Sequence, residues 1–172
     1  MSERAPAMKS AASAPVQVTS PGPTTRLHVL RTTGAAVLAH GLASWVGLPE
    51  PYWATITALV VMQSTLAASW TVSWKRLVGT AIGATIGGLL GTWTHPGVAL
   101  FAAALVASGL LCSVTGLDRA AYRFAGITLA IVMLVTRSRP AWIIACHRFA
   151  EVAIGIVATL VFTAMWPEPA PR

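Results

Sequence analysis

The sequence predicts an all-α, polytopic membrane protein, because of its composition, its charge distribution and its repeated long apolar segments. Hydrophobic residues make up 55% of the 172-residue chain and charged residues only 10%, against about one quarter in an ordinary globular domain. Between Arg31 and Lys75 the single charged residue is Glu50, and between Arg76 and Asp118 there is none. Segments so poor in charge are typical of helices that lie in lipid.

A spanning helix needs about 20 mainly apolar residues, and polar or proline-bearing joints divide the chain into six such segments. The predicted helices cover residues 30–48, 52–70, 76–94, 97–115, 119–137 and 142–166. All seven tryptophans fall at or beside a predicted helix end, where an amphipathic ring suits the headgroup layer. We therefore expect a bundle of about six transmembrane helices arranged as three hairpins. Helices 1, 3 and 5 would each begin with Arg-x-x-Gly, at Arg31, Arg76 and Arg123, which suggests hairpins of related design.

Three regions follow from this division. Residues 1–25 are rich in Ala, Ser, Pro and Thr and contain no apolar run of signal-peptide length, so we predict a disordered cytoplasmic tail. The transmembrane domain covers residues 26–167, and residues 168–172 form a short cytoplasmic tail.

The distribution of basic residues predicts the orientation. If the N-terminus is cytoplasmic, the inner side collects nine Lys and Arg residues and the outer side three. The inner set is Arg4, Lys9, Arg26, Arg31, Lys75, Arg76, Arg119, Arg123 and Arg172, and the outer set is Arg137, Arg139 and Arg148. This bias predicts that both termini are cytoplasmic. It also accounts for the net charge of +7 without nucleic acid, for which no basic groove or module is present.

A ridge of small residues marks the third predicted helix, RLVGTAIGATIGGLLG. Gly79, Gly83, Gly87 and Gly91 recur at every fourth residue, so they line one side of a helix and allow a close approach of another backbone. The ridge can be a packing seam within the fold, a subunit interface or a narrow wall beside a pathway. The sequence leaves these alternatives open.

Ionisable residues within apolar helices are expensive and usually face protein or water. Arg123 and Arg137 bracket about 20 Å of helix, against a hydrocarbon core of about 30 Å, so one of them lies deep, extends to the interface or thins the bilayer locally. We expect Arg123 to be drawn inward. On the last helix Arg148, Glu151 and Gly155 share a face. The two charges either form a structural ion pair, or Arg148 attracts an anion while Glu151 or His147 handles protons.

Several polar side chains on the first two helices are further candidates for the pathway. His40 lies near the middle of helix 1, where it is either neutral and hydrogen-bonded or has a proton or substrate role. Gln63 carries donors and an acceptor, and we expect it to bond a neighbouring helix and, secondarily, a substrate. Tyr52 and Trp53 begin helix 2 as interfacial anchors.

The motifs of enzymes and cofactor proteins are missing from the sequence. There is no GxSxG nucleophile motif, no HExxH metal site and no Gly-rich phosphate loop. Cys112 and Cys146 have no CxxC spacing and no matching His, so we interpret them as apolar fillers. The sequence predicts a protein that is not an enzyme and that has no metal or other cofactor.

The segments GLPEPYWATITALVVMQ, RLVGTAIGATIGGLLG, YRFAGITLAIV and RFAEVAIGIVATLVFTAMWP together resemble the fusaric acid resistance protein-like family, the integral membrane bound transporter domain of aromatic acid exporters. The resemblance covers residues 47–167. It implies a multi-pass protein of the bacterial inner membrane that exports aromatic or other organic carboxylate anions. Tyr52, Trp53 and Gln63 match the family's pattern in helix 2. Arg76, Gly79 and Thr80 match its pattern in helix 3, and Arg148, Glu151 and Gly155 match its last helix.

Larger members of the family carry a cytosolic region and often a second membrane half, whereas this sequence stops at Arg172. The resemblance therefore implies a homodimer or a partner transporter subunit that completes a pathway. In the leading hypothesis Arg123 and Arg148 attract the anion. The alternative is a non-transporting membrane subunit or scaffold that associates with a partner exporter. A transporter needs a polar, solvent-reachable path to Arg148 or Arg123, whereas a scaffold can bury both in ion pairs.

Overall fold

The computed structural model describes residues 23–93, 97–135 and 139–166, with side chains from residue 26 onward. Within these ranges the chain forms six helices and no strand. They are α1 (Pro23–Trp45), α2 (Tyr52–Val61), α3 (Leu66–Trp93), α4 (Val98–Val114), α5 (Arg119–Leu134) and α6 (Ala141–Met165). The predicted all-α class is confirmed. The two predicted tails lie outside the described residues, except for the residues of tail 1–25 that begin α1.

Glycines in the left-handed region end α1 and α4. Gly47 has φ 79° and Gly116 has φ 69°, a conformation that glycine adopts without steric cost. After α1, Leu48 N–H donates to Ala43 O and Gly47 N–H to Ser44 O, both at 3.0 Å. This pair of bonds satisfies carbonyl groups that a helix end leaves open. The chain therefore turns sharply after each of these helices.

Asp118 fixes the start of α5 and ties it to α3. Its carboxylate accepts hydrogen bonds from the N–H groups of Ala120 and Ala121, both at 3.2 Å, and forms an ion pair with Lys75 on α3. The hydrogen bond from Lys75, together with those from the backbone, lowers the pKa of the Asp118 carboxyl below its ordinary value. One side chain thus caps a helix and links it to its neighbour.

The predicted second and third helices, residues 52–70 and 76–94, have the wrong boundaries. Helix α2 has 10 residues and α3 has 28, because the chain leaves the helical conformation at Met62, where ψ is 121°. Gln63 N–H then donates to Ser69 Oγ at 3.0 Å, and α3 starts at Leu66. The break depends on a distant residue: Arg31 on α1 donates to Gln63 O at 3.0 Å. A contact across 32 residues leaves no local sequence signal.

The early start of α3 moves two basic residues away from the predicted cytoplasmic turn. Lys75 and Arg76 lie inside α3, and Arg31 lies inside α1. The expectation that Arg-x-x-Gly begins helices 1, 3 and 5 is therefore wrong.

Helix α3 is the centre of the bundle. It packs most extensively on α5 and α6, while α6 also packs on α1 and α2. Helix α4 lies at the edge, mainly against α5. Of the three predicted hairpins, only α1 with α2 makes an extensive contact, since α3 with α4 and α5 with α6 touch only slightly. The main helix pairs are thus not neighbours in the sequence.

The glycine ridge of α3 faces α5 within the chain. A Cβ atom added at Gly79 would lie 2.3 Å from Ala121 O, and one added at Gly83 would lie 2.2 Å from Ala125 O. Gly87 faces the same helix, against Val132. Such close backbone contact is possible only without side chains. Helix α5 thus occupies this part of the ridge, and a second chain has no access to it.

Two further glycines bring α6 close to its neighbours. Gly91 approaches Ala141, with an added Cβ 2.8 Å from that methyl group. At Gly155 an added Cβ would lie 2.5 Å from Ala54 O on α2. Helix α6 is therefore held between α2 and α3 by contacts that need small residues.

We predict that Gly83→Ala destabilises the fold. The new methyl group meets a backbone carbonyl and cannot be accommodated by a side-chain rotation, so we expect the free energy of unfolding to fall by about 1–3 kcal/mol. Thermal unfolding of the detergent-purified protein measures this. The matched control is Gly41→Ala, at an exposed helical glycine with open space around it, which should be neutral or stabilising by about 0.5–1 kcal/mol. Equal melting temperatures for the two variants would contradict the packing account.

The Lys75–Asp118 pair predicts a pH effect on stability. Because the folded-state pKa of Asp118 is lowered, its contribution is present above the unfolded-state pKa of about 3.9 and is lost as pH falls through the lowered value. Asp118→Asn keeps a capping side chain but removes the charge. The melting temperature of wild type minus that of Asp118→Asn should therefore shrink as pH is lowered from 6 to about 3. A difference that stays constant over this range would refute the prediction.

Candidate functional site: a buried arginine cluster

Four charged side chains lie in the interior of the described bundle. The exposed fractions are 1% for Arg31, 5% for Arg76, 3% for Arg148 and 0% for Glu151. Charges withdrawn from water are costly unless they are paired and hydrogen-bonded. These residues therefore mark the part of the molecule where structure or function requires charge.

Arg148 is shared between two carboxylates. Its Nη2 atom lies 2.8 Å from Glu50 Oε2 and forms an ion pair with Glu151, three residues further along α6. The guanidinium carbon lies 4.4 Å from the centre of the Trp53 ring, and Trp53 Nε1 donates to the same Glu50 oxygen at 3.1 Å. Glu50, in the connection between α1 and α2, thus closes over Arg148 from the end of the bundle where α6 begins.

Arg76 has a different environment. Its Nε and Nη2 atoms donate to Thr57 Oγ1 at 3.2 and 3.0 Å, and its guanidinium carbon lies 5.0 Å from the centre of the Phe124 ring. Arg148 is near enough for the two positive charges to repel each other. Among the described residues no carboxylate forms an ion pair with Arg76. A hydroxyl and an aromatic ring thus surround a buried cation without neutralising it.

Arg31 lies at the C-terminal end of α2. It donates to Gln63 O at 3.0 Å and to Thr163 Oγ1 at 3.4 Å. Its charge lies at the C-terminal end of α2, where the helix dipole favours a cation. Arg31 therefore stabilises the break between α2 and α3, and the Gln63 side chain, half-buried at this break, lies apart from Arg148.

The structure brings together only some of the predicted pathway residues. Arg148, Glu151 and Trp53 form one cluster, with Tyr52 at its margin, its ring 5.6 Å from that of Trp53. His40 is exposed, with Nδ1 3.4 Å from Thr55 Oγ1. It lines a shallow cavity of about 350 Å³ between α1 and α2.

The expectation that Arg123 is drawn inward is wrong. Arg123 is exposed near the start of α5, and the ring of its neighbour Phe124 packs against Arg76 instead. Arg76 lies on the glycine-rich side of α3, since Gly79, Thr80 and Gly83 follow it at intervals of three, four and seven residues. This spacing indicates that Arg76 is buried. The predicted start of α3 at Arg76 instead places this arginine at an exposed helix end. Glu50 was missed because it lies in a connection between helices.

A larger apolar cavity, of about 640 Å³, lies between the C-terminal half of α3 and the N-terminal part of α6. Its large lining side chains are Leu89, Trp93, Trp142 and Phe149, and Cys146 also contributes. Both cysteines are free thiols, Cys112 buried and Cys146 exposed. Within the described ranges no group of three or more His, Cys, Asp or Glu side chains could hold a metal ion.

We predict that Arg148→Met is strongly destabilising, because it removes the arginine that pairs with the buried Glu151. Removal of one partner of a buried pair costs about 3–5 kcal/mol. The double variant Arg148→Met/Glu151→Met removes both buried charges and should recover much of this loss, because well-packed apolar side chains often replace such pairs at no net cost. Chemical unfolding of the purified variants measures both values. A double variant no more stable than the single one would contradict the assignment of this ion pair.

A family model and several curated relatives match the chain. The model of fusaric acid resistance protein-like proteins matches residues 37–162, a range that contains Glu50, Arg76, Arg148 and Glu151. The chain is 32% identical over 139 residues to an uncharacterized transporter of Salmonella typhimurium, which covers 76% of this chain and 20% of the relative. A relative in Escherichia coli K12, also named an uncharacterized transporter, is 32% identical over 139 residues, or 76% of this chain and 21% of the relative.

An uncharacterized transporter of Gluconobacter oxydans is 31% identical over 152 residues, which cover 80% of this chain and 20% of the relative. The chain thus spans about a fifth of the length of the curated relatives that it matches. No solved structure matches it at a significant level. The extent of the family match and the identity to these transporters show that the chain belongs to the fusaric acid resistance protein-like family.

Proposed function

We propose that the chain is a multi-pass unit of a bacterial inner-membrane transporter that exports organic anions, in particular aromatic carboxylates. Membership of the family and the relatives named transporters support a membrane transporter rather than an enzyme. The observation that carries the choice of an anion is Arg76, a buried guanidinium without a carboxylate partner among the described residues.

The long apolar helix α6 and the positions of the tryptophans support a membrane location. In the described ranges one helix, Ala141–Met165, is long and apolar enough by itself to cross a membrane, while Tyr52–Val61 and Val98–Val114 are apolar but shorter. On α3 the exposed rings of Trp74 and Trp93 lie about 28 Å apart along the axis, near the hydrocarbon thickness of about 30 Å. Rings at both levels fit the two interfaces of a bilayer.

The charges support cytoplasmic termini. Exposed or partly exposed basic side chains lie at the end of the bundle where α1 begins, α5 begins and α6 ends, and Arg139 lies at the other end. The first set is Arg26, Lys75, Arg119 and Arg123. By the positive-inside rule the end that carries this set is cytoplasmic, so Glu50 and the start of α6 face outward.

The geometry at Arg76 suits a carboxylate. Thr57 occupies Nε and Nη2, while Nη1 has no hydrogen bond to a described residue. Two N–H groups of a guanidinium can bind both oxygens of a carboxylate at once. Because Arg76 is away from bulk water, a bound anion would meet little competition from solvent and little screening by salt.

Aromatic rings beside both inner arginines favour an aromatic acid over an inorganic anion. Phe124 lies against Arg76 and Trp53 against Arg148. Rings in these positions can stack with an aromatic ligand whose carboxylate is on Arg76. Arg148 is already paired with Glu50 and Glu151, so we place the first binding step at Arg76.

We further propose that a second copy of the chain or a partner subunit completes the pathway. The chain spans about a fifth of its relatives, so those proteins contain further segments. Helix α1 also exposes His40, and lipid is a poor environment for an imidazole. Another helix packed beside His40 would supply a further hydrogen-bond partner.

A second candidate function is a non-transporting subunit that associates with a partner exporter. The burial of Arg148 in two ion pairs favours it, because those pairs stabilise a closed bundle. The two functions differ in one measurable property. A transporter moves anions when this chain is present alone, whereas a non-transporting subunit does not.

We predict that Arg76→Gln weakens the binding of benzoate, a simple aromatic carboxylate. A hydrogen bond to a charged group contributes about 1.5–3 kcal/mol, so we expect a loss of roughly 10- to 100-fold in affinity. Calorimetric titration of the purified protein measures it. The control is Arg119→Gln, which removes an exposed arginine at the start of α5 and should bind as wild type does. Equal affinities of Arg76→Gln and wild type for benzoate would show that the anion does not bind at Arg76.

A further inference from the structure

Helix α3 carries a buried hydroxyl that makes no hydrogen bond to the described residues. Ser73 is 2% exposed, and its Oγ atom has no partner among them. Buried polar atoms in native proteins nearly always have a partner, and an exception calls for an explanation. An unbonded hydroxyl away from water costs the fold stability, so this side chain is a candidate for a role in binding.

Two other buried hydroxyls, on α2 and α6, show the contrast. Thr57 Oγ1 donates to Trp53 O and Thr159 Oγ1 to Gly155 O, both at 2.9 Å. In each case the acceptor is the carbonyl oxygen four residues earlier, a usual arrangement for a hydroxyl inside a helix. A hydroxyl has one hydrogen atom to donate, so neither of these side chains can also donate to an anion. The hydroxyl of Ser73 is not committed in this way.

The position of Ser73 on α3 places it beside Arg76. Both residues are buried, and residues three apart are neighbours on a helix surface, with Cβ atoms about 5–6 Å apart. A long side chain on a helix also extends toward the N-terminus, over the turn that precedes its own Cα atom. For Arg76 the preceding turn contains Ser73. This placement lets one small ligand contact the hydroxyl and the guanidinium together.

The contacts already made by Arg76 leave a small set of donors. Thr57 binds Nε and Nη2, and the Phe124 ring lies 5.0 Å from the guanidinium carbon. The Nη1 atom has no hydrogen bond to a described residue. One donor from Nη1 and one from Ser73 match the two oxygens of a carboxylate.

We infer that Ser73 is a second binding residue for the anion at Arg76, with its hydroxyl donating to one carboxylate oxygen while Nη1 donates to the other. The inference rests on the proposed function. Two donors on one helix fix the orientation of the carboxylate as well as its position. The pair therefore favours a carboxylate, with two oxygens in one plane, over an anion that has a single binding atom.

The position of Ser73 also fits the direction of export. In the proposed orientation α3 begins at the cytoplasmic end of the bundle, and Ser73 precedes Arg76 along this helix. An anion that enters from the cytoplasm thus reaches the hydroxyl before it reaches the guanidinium.

Calorimetric titration of the purified protein with benzoate tests the inference. Ser73→Ala removes a hydrogen bond to a charged group, so we expect its affinity to fall about tenfold or more. Ser73→Cys keeps nearly the same size but has a weak donor, and its affinity should fall as well, which a space-filling role would not produce. The matched control is Ser108→Ala, since this buried serine on α4 donates to Ala104 O at 2.7 Å and should not affect binding.

Thermal unfolding separates binding from folding. Without benzoate, Ser73→Ala should be at least as stable as the wild type, because its hydroxyl has no hydrogen bond to lose among the described residues. Benzoate should raise the melting temperature of this variant less than that of the wild type. If Ser73→Ala does not fold, the affinity of Ser73→Cys decides the test.

The outcomes distinguish this inference from the proposed function. Folded Ser73 variants that bind benzoate as the wild type does, while Arg76→Gln binds it weakly, would overturn the inference and leave the proposed function standing. An equal loss of affinity in Ser108→Ala would also overturn the inference. A folded wild type that binds no benzoate would overturn both.

Discussion

The interior of this bundle depends on the ion pairs of Arg148. One guanidinium on α6 holds Glu151 on its own helix and Glu50 in the connection between α1 and α2, and Trp53 contacts both the arginine and Glu50. Without Arg148, the fully buried carboxylate of Glu151 would lose its ion pair with this arginine, at a cost of several kcal/mol. The same contacts hold the start of α2 against α6.

Close helix contact makes these charge interactions possible. Gly79 and Gly83 let α3 lie against the backbone of α5, and Gly155 lets α6 lie against α2. As a result Arg76 and Thr57, on different helices, meet at hydrogen-bonding distance. Larger residues at these glycines would separate the helices and admit lipid or water between the arginines. Packing and electrostatics are therefore connected: small residues exclude solvent, and Arg76 is buried without a carboxylate partner among the described residues.

Much of the fold followed from composition and periodicity, since apolar segments, glycine spacing and the Arg148–Glu151 interval depend on neighbours within a few turns of one helix. The boundary between α2 and α3 did not, because Arg31 binds Gln63 O from another helix. The assignment of Arg123 as the inward arginine failed for a related reason. With α3 starting ten residues earlier than predicted, Arg76 moves from a helix end into the interior, and the ring of Phe124 covers it. Glu50 gave no signal in a connecting segment, because its role exists only through Arg148 on α6.

We propose that Arg76 binds an organic anion while that anion crosses the membrane. Efflux of labelled benzoate from vesicles that hold the purified chain tests it most directly, with wild type beside Arg76→Gln after both are shown to be folded. We expect efflux in the wild type and its collapse in the variant. Equal efflux from both would contradict the role of Arg76, and no efflux from folded wild type would favour a subunit that needs a partner exporter.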